Sequence, residues 1–231
     1  MGGRSNTAER GSGLIGGKND PEITDDIRDF FLPRGVRNKL SQIEKIQSCN
    51  KLKSYLESKG IELDTDLQSL KGNRANDNIP AVTELAQKIA VGIETYQELY
   101  GPKALSSLKK VVLYDQNLDT HAAYHFNLIG EKDLLAGTIR FSDWNASGRD
   151  VFHELGHAFQ DSNKAKGEDV ISYSDRIAQT VGIPKSAYTG SSGIGEENAE
   201  RMAEAFGFGF SRGSKSGVRF IENLSKSRRK R

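Results

Sequence analysis

Residues Val151 to Gln160 read V-F-H-E-L-G-H-A-F-Q. His153 and His157 are four residues apart, so on an α-helix both side chains project from one face, about one turn from each other. Two imidazoles at this spacing can bind a single Zn²⁺ ion. Glu154 would then lie beside the metal. There it can take a proton from an activated water and later pass it to a leaving amine.

The neighbouring residues favour this interpretation over an ordinary amphipathic helix with two unrelated histidines. Gly156 removes the side chain next to the second histidine, where the chain must pack closely or leave room for a metal. The segment also carries the apolar stripe of a helix buried beside a cleft. This stripe consists of Val151, Phe152, Leu155, Ala158 and Phe159. The segment therefore matches the HExxH pattern of zinc-dependent proteases, with Glu154 as the catalytic residue.

A catalytic zinc usually keeps three protein ligands, so a third must come from elsewhere in the chain. His121 and His125 are also four residues apart, but their segment predicts a strand. On a strand their side chains would lie on one face about 13 Å apart, since four residues rise roughly 3.3 Å each. That distance is too long for one ion. We interpret both as structural or substrate-side residues.

A better source of the third ligand is the stretch 196–206, which predicts a helix with an apolar stripe. Glu200 and Glu204 lie four residues apart on one edge of it, and Glu197 lies one turn before them. A solvated acidic face is the alternative explanation of these glutamates. A His₂Glu site requires a carboxylate on a second helix, and we assign Glu200 as that ligand. Glu204 could accept the other N–H of a ligand histidine and fix its tautomer.

Together, H-E-L-G-H-A-F at 153–159 and E-R-M-A-E-A-F at 200–206 resemble the gluzincin zinc peptidases, most closely the catalytic domain of anthrax lethal factor and its relatives. The resemblance covers roughly residues 105–224. It implies that the first glutamate of the second motif, Glu200, is the third zinc ligand. It also implies that Glu204 is a carboxylate that supports the metal ligands without binding the metal itself.

The same resemblance implies a tyrosine near the oxyanion, a short distance before the second helix. Tyr188 is the matching candidate, and Tyr173 is the other possibility. Residues 51–144 resemble, more weakly, the lethal-factor-like domains found in bacteriophage or prophage proteins. This likeness implies an origin in a mobile element.

The order of the predicted elements favours an α+β fold. Helical periodicity covers Val36 to Gly60 and Val82 to Tyr100, and the polar stretch Asp64 to Pro80 predicts a loop between them. Three short β-rich runs precede the motif helix. They are Val111–Tyr114, Ala122–Phe126 and Gly137–Phe141. We expect the last of these to lie nearest the cleft and to pair with an extended peptide substrate.

The expected fold is therefore a zincin-like metallopeptidase domain with a small mixed sheet, an HExxH helix and a C-terminal glutamate-bearing helix, preceded by helices. We divide the chain into four regions. They are a flexible N-terminal segment (1–33), a helical support region (34–104), a zinc metallopeptidase core (105–211) and a basic C-terminal tail (212–231).

Residues 212–231 contain eight basic residues and one acidic residue, a net charge of +7 in a chain whose total is +2. This composition predicts a solvated, disordered tail, and binding of nucleic acid through it is the less favoured alternative. No run approaches the roughly 18 apolar residues that span a membrane, and the first residues lack a signal peptide. We expect a cytoplasmic or virion-associated protein in which the single cysteine, Cys49, serves packing.

We therefore predict a zinc-dependent endopeptidase with one Zn²⁺ and a protein or peptide substrate. The alternative is a phage-associated structural or interaction protein that keeps the peptidase fold and binds zinc for stability. The two predictions differ in one observable: the alternative binds metal but cleaves no peptide.

Overall fold

The computed structural model describes residues 26–65, 80–115, 118, 120–126, 134–142, 146–184 and 197–229. Within these ranges the chain is α+β, with seven helices and four strands. The helices are α1 (Arg34–Ile43), α2 (Cys49–Ser58), α3 (Pro80–Tyr100), α4 (Gly148–Asn163), α5 (Val170–Val181), α6 (Glu197–Arg212) and α7 (Lys215–Arg229). The strands are β1 (Glu62–Thr65), β2 (Lys110–Leu113), β3 (Ala122–His125) and β4 (Thr138–Phe141).

The four strands form one mixed sheet in the order β1-β2-β4-β3. β1 and β2, like β2 and β4, are parallel, whereas β3 and β4 are antiparallel. The three predicted strands are confirmed. β1 was not predicted, because it is only four residues long and Leu63 is its single apolar residue.

The prediction that Gly137–Phe141 lies nearest the cleft is wrong. β4 has β2 on one side and β3 on the other, so its backbone groups are already paired within the sheet. β3 returns antiparallel along β4 and takes the edge position. The described sheet therefore has two edge strands, β1 and β3, and β3 is the one whose residues line the cleft.

Helix α3 forms the centre of the core and supports the motif helix α4. Tyr96 is fully buried, its hydroxyl donates a hydrogen bond to the Phe152 carbonyl at 2.9 Å, and its ring lies against aromatic rings of α4 and α6. A Cβ atom at Gly92 would lie 2.4 Å from Leu155 Cδ1, so a larger residue there would force the Leu155 side chain between α3 and α4 to move. Although α3 has 21 residues, neither it nor any other described helix is long and apolar enough to cross a membrane.

The N-terminal boundary predicted at residue 33 is wrong for the part that the structure describes. Phe30 is buried and packs edge-on against Phe152, with ring centroids 5.5 Å apart. The backbone N–H of Phe31 donates to the Phe210 carbonyl at 2.8 Å. Apolar side chains thus anchor residues 26–33 in the core. The remaining part of the segment predicted to be flexible lies outside the described residues.

The predicted division between a support region and a catalytic core at residue 104 does not correspond to separate cores. β1 comes from the support region and yet pairs with β2. One hydrophobic cluster contains buried side chains from Ile27 to Leu224. Cys49 belongs to this cluster, which confirms its packing role, and burial raises the pKa of its thiol.

The prediction of a disordered basic tail is also wrong. α7 begins at Lys215 and buries Phe220, Ile221 and Leu224, and a Cβ atom at Gly217 would lie 2.7 Å from Gly209 Cα on α6. The tail folds because apolar residues recur at helical spacing between its charges. Lys215, Arg219, Lys226 and Arg228 are exposed, and nucleic-acid binding there stays a prediction.

A buried carboxylate ties α3 to the first two helices. Glu94 Oε2 accepts a hydrogen bond from Lys39 Nζ at 2.7 Å, while its Oε1 accepts one from the Tyr55 hydroxyl at 3.1 Å and also pairs with Lys59. Burial opposes the charge of Glu94. The hydrogen bonds and charges of the two lysines outweigh burial and hold the pKa of this carboxyl below its usual value.

We expect Glu94→Gln to lower the free energy of unfolding by about 1.5–3 kcal/mol at pH 7, the range for hydrogen bonds to charged groups. Since the pKa is lower in the folded state, this contribution is present above the unfolded pKa, about 4.3, and is lost as the pH falls through the folded value. Urea unfolding at pH 7 and in acid measures the difference. Glu57→Gln, at an exposed position, is the control. A deficit that stays constant in acid would contradict this explanation.

Candidate metal centre

The start of α4 is set by a capping box directly before the motif. The Ser147 side chain accepts the backbone N–H of Asp150, and the Asp150 carboxylate accepts the backbone N–H of Ser147 at 2.9 Å. These contacts satisfy N–H groups that have no partner within the helix. The helix therefore begins shortly before His153. Its starting point determines which way both histidine side chains point.

α4 and α6 pack antiparallel, and the glycine of the motif allows their contact. A Cβ atom at Gly156 would lie 3.1 Å from Ala203 Cα and 3.1 Å from Phe206 Cδ2. The prediction that this glycine permits close packing is confirmed. The close approach brings the glutamates of α6 up to the histidines of α4.

Three predicted ligands converge in the structure. The Nε2 atoms of His153 and His157 are 3.0 Å apart, and each is 3.4 Å from a carboxylate oxygen of Glu200. Two ligand atoms about 2.0–2.1 Å from a tetrahedral metal ion are roughly 3.3 Å apart. Among the described residues, these three are the group that could hold a metal ion. Their spacing fits one ion bound by all three side chains.

The electrostatics of the triad favour a cation. Burial opposes a charge on His153, but its hydrogen bond with Glu200 and the nearby Glu154 and Glu204 raise the pKa of His153 to about 9. Burial likewise opposes the charge of Glu200, and the two histidines outweigh it and lower the pKa of Glu200 well below its usual value. The carboxylates therefore attract positive charge to the point where the ligand atoms meet.

Gln160 orients the second histidine and was not predicted from the sequence. Its amide oxygen lies 3.1 Å from His157 Nδ1, while its amide nitrogen donates to the Ala199 carbonyl on α6 at 2.7 Å. Because the amide oxygen can only accept, Nδ1 of His157 must carry the proton, which leaves Nε2 free to bind metal. The available signal was its position three residues after His157, on the same helix face.

We expect Gln160→Ala to weaken metal binding about 10–100-fold, the usual effect of removing a hydrogen-bond partner behind a metal ligand. The His157 ring would lose the contact that fixes its tautomer and orientation. Competition titration with a chromogenic chelator measures the affinity. Gln87→Ala is the matched control, since the Gln87 amide donates to the Glu44 carbonyl away from the site. Equal affinities for the wild type and Gln160→Ala would refute this role.

Glu204 lies behind His153, as predicted, but its carboxylate does not bond the ring. The Glu204 oxygen is 3.9 Å from His153 Nδ1, which is too long for a hydrogen bond. Both Glu204 oxygens instead accept from Arg149, one of them from Nε at 3.2 Å and the other from Nη2. The predicted tautomer-fixing role of Glu204 is therefore wrong, because Arg149 on α4 takes its hydrogen bonds.

Glu154 is buried at the wall of a cleft of about 420 Å³ that also contains the triad. Burial raises the pKa of Glu154, while the charges of His153 and His157 oppose that rise. The backbone N–H of Tyr124 on β3 also bonds its carboxylate. The Tyr124 hydroxyl donates to Asp161 on α4 at 2.7 Å and so anchors the edge strand beside the cleft.

The remaining candidates divide between cleft, support and undescribed residues. His121 lines the cleft, whereas His125 Nε2 lies 3.2 Å from Arg140 Nη1 within the sheet, and neither joins the triad. Tyr173 is buried on α5 with the Arg176 guanidinium over its ring, and it does not line the cleft. Tyr188 lies outside the described residues.

Comparison of the chain with protein-family models, with curated proteins and with solved structures finds no match in any of the three. Its function must therefore be inferred from its own residues and their geometry.

Proposed function

We propose that the protein is a zinc-dependent endopeptidase whose single Zn²⁺ is held by His153, His157 and Glu200. The observation that carries this proposal is the convergence of three ligand atoms from two helices, next to the buried Glu154 in an open cleft. Structural zinc sites usually have four protein ligands, whereas catalytic sites keep three and leave one position open. Three ligands facing a cleft favour the catalytic class.

The ligand types favour zinc over other common divalent ions. Calcium and magnesium prefer sites built of oxygen ligands, whereas two imidazoles and a carboxylate are typical of catalytic zinc. The resemblance of the two helical motifs to lethal-factor-like gluzincins agrees with this choice.

Bound in the triad, zinc would supply Lewis acidity, which polarises a carbonyl and lowers the pKa of a water molecule toward about 7. Glu154 provides the base. Its carboxylate accepts the proton of the attacking water and transfers it to the departing amine. Glu154 is buried beside the triad, and the backbone N–H of Tyr124 faces its carboxylate. Tyr188 stays the candidate that stabilises the oxyanion, on the resemblance alone.

The cleft is suited to a peptide because an edge strand borders it. Ala122, Ala123 and Tyr124 of β3 line the cleft together with Glu200 and Glu204 of α6. An extended peptide can add to such an edge through main-chain hydrogen bonds. β3 thereby takes the substrate-pairing role that the sequence suggested for Gly137–Phe141.

The test is a cleavage screen with zinc-loaded protein. We expect the chain to cleave members of a peptide library, to lose activity with a chelator and to regain it when zinc is added. Thiol-directed reagents should have little effect, since Cys49 is buried. Retention of one zinc without cleavage of any peptide would favour the structural or phage-associated alternative. Failure to bind any metal would contradict both.

A further inference from the structure

Polar contacts join α4 and α6 on both sides of the ligand triad. On one side, the Gln160 amide donates to the Ala199 carbonyl. On the other side, the Arg149 guanidinium donates two hydrogen bonds to the Glu204 carboxylate. Arg149 lies one turn before His153 on α4, and Glu204 lies one turn after Glu200 on α6. The ligands are therefore placed between two cross-links that join the same pair of helices.

The Arg149 side chain is held in one arrangement. Its guanidinium carbon lies 4.6 Å from the centroid of the Phe208 ring, while its Nε and Nη2 face the buried Glu204 carboxylate. A Cβ atom at Gly207 would lie 3.0 Å from the Arg149 carbonyl oxygen and 3.2 Å from its Cγ atom. The absence of a side chain at Gly207 lets the arginine lie flat against α6. Stacking and a two-pronged ion pair together fix the direction of the guanidinium.

Apolar packing sets the distance between two helices better than it sets their position along the common axis. The hydrophobic effect is non-directional, so a small slide costs little buried area. A fork-shaped ion pair has a defined direction and resists the slide. The position along the axis is what brings Glu200 level with His153 and His157, whose ligand atoms lie 3.4 Å from its oxygens.

We propose that Arg149 is a positioning residue for the metal centre: its ion pair with Glu204 fixes α6 along α4 and so holds Glu200 at the paired imidazoles. The inference rests on the metal site of the proposed function, but not on peptide cleavage. According to this inference, Glu204 supports the metal centre through its ion pair with Arg149 and not through a contact with the His153 ring.

The test is the rate at which zinc leaves the protein in excess chromogenic chelator. We expect Arg149→Met to release zinc about 10-fold faster or more, within the range for lost support of a ligand. Glu204→Gln should have a similar effect. The double variant should be little worse than either single one, because the two residues act as a unit. Arg176→Met is the matched control, since it breaks a two-pronged pair with Glu168 whose hydrogen bonds are 3.0 and 2.8 Å long.

Arg149→Lys separates charge from geometry. Lysine keeps the charge but cannot form the two-pronged contact, so we expect a release rate between those of the wild type and Arg149→Met. If Arg149→Met does not fold, faster release from folded Arg149→Lys than from the wild type supports the inference, and an unchanged rate overturns it. The visible spectrum of the Co²⁺-loaded variants should change with the release rate, since it reports the ligand geometry directly.

Other outcomes have definite readings. A wild-type release rate in folded Arg149→Met overturns the inference. So does fast release from Glu204→Gln together with normal release from Arg149→Met, because Glu204 would then act on His153 directly. If the protein cleaves no peptide but still depends on Arg149 to retain zinc, the positioning role of Arg149 stands and the proposed peptidase activity is refuted. A wild type that holds no zinc overturns both.

Discussion

Glu200→Ala is expected to lose its zinc during purification and to hydrolyse no peptide. The triad would keep two imidazoles but lose the carboxylate whose oxygens lie 3.4 Å from both. Loss of a residue that supports a ligand lowers metal affinity by up to about 100-fold. Because Glu200→Ala removes a ligand itself, its affinity for zinc should fall by more than that. Zinc content by mass spectrometry and a competition titration measure the loss.

Glu197→Ala is the matched control for this experiment. Glu197 lies in the first turn of the same helix, is largely exposed and pairs loosely with Arg201 at 3.7 Å. Its removal should leave zinc content, affinity and cleavage unchanged. Zinc retained by Glu200→Ala with wild-type affinity would exclude Glu200 as a ligand. The three-ligand site would then be wrong.

Glu154→Gln is expected to keep one zinc and to lose turnover. The amide has nearly the same shape as the carboxylate, so the helix and both histidines should keep their places, but it cannot accept a proton from water. The loss in kcat should be about 10²–10⁴-fold, the range for a general base. Steady-state kinetics on a peptide identified in the screen, with zinc content measured on the same samples, tests this directly.

A comparison of zinc content with kcat distinguishes the roles of the two glutamates. Glu200→Ala should lose metal and activity together, whereas Glu154→Gln should lose activity alone. Undiminished cleavage by the zinc-loaded Glu154→Gln variant would contradict the mechanism even if the metal site were correct. Loss of zinc from that variant would instead indicate that Glu154 supports the ligands.

The central helix and its histidines could be predicted because their geometry is local. A helix places residues four apart on one face whatever surrounds it, so the sequence brings His153 next to His157. The three predicted strands also carried their own signal in short β-rich runs. The choice of Glu200 needed a further premise, the chemistry of a three-ligand site, and the structure brings its carboxylate to both imidazoles.

The failures concern local patterns that other features concealed and contacts between residues that are distant in the sequence. The basic charges of residues 212–231 concealed an amphipathic helix whose apolar side packs on α6. The edge position of β3 depends on strand order, which no single strand encodes. β1 has a single apolar residue, Leu63, which is too weak a pattern to predict a strand, and it pairs with β2.

By itself, the sequence determined which side chains could bind a metal ion, since ligand type and helical spacing follow from residue identity. Only the tertiary structure decided which groups contact these side chains. Gln160 bonds His157, Arg149 donates to Glu204, and the backbone N–H of Tyr124 faces Glu154. The physical reason is that a hydrogen bond forms with whichever partner the packing of separate elements brings within about 3 Å. That packing is a property of the whole core.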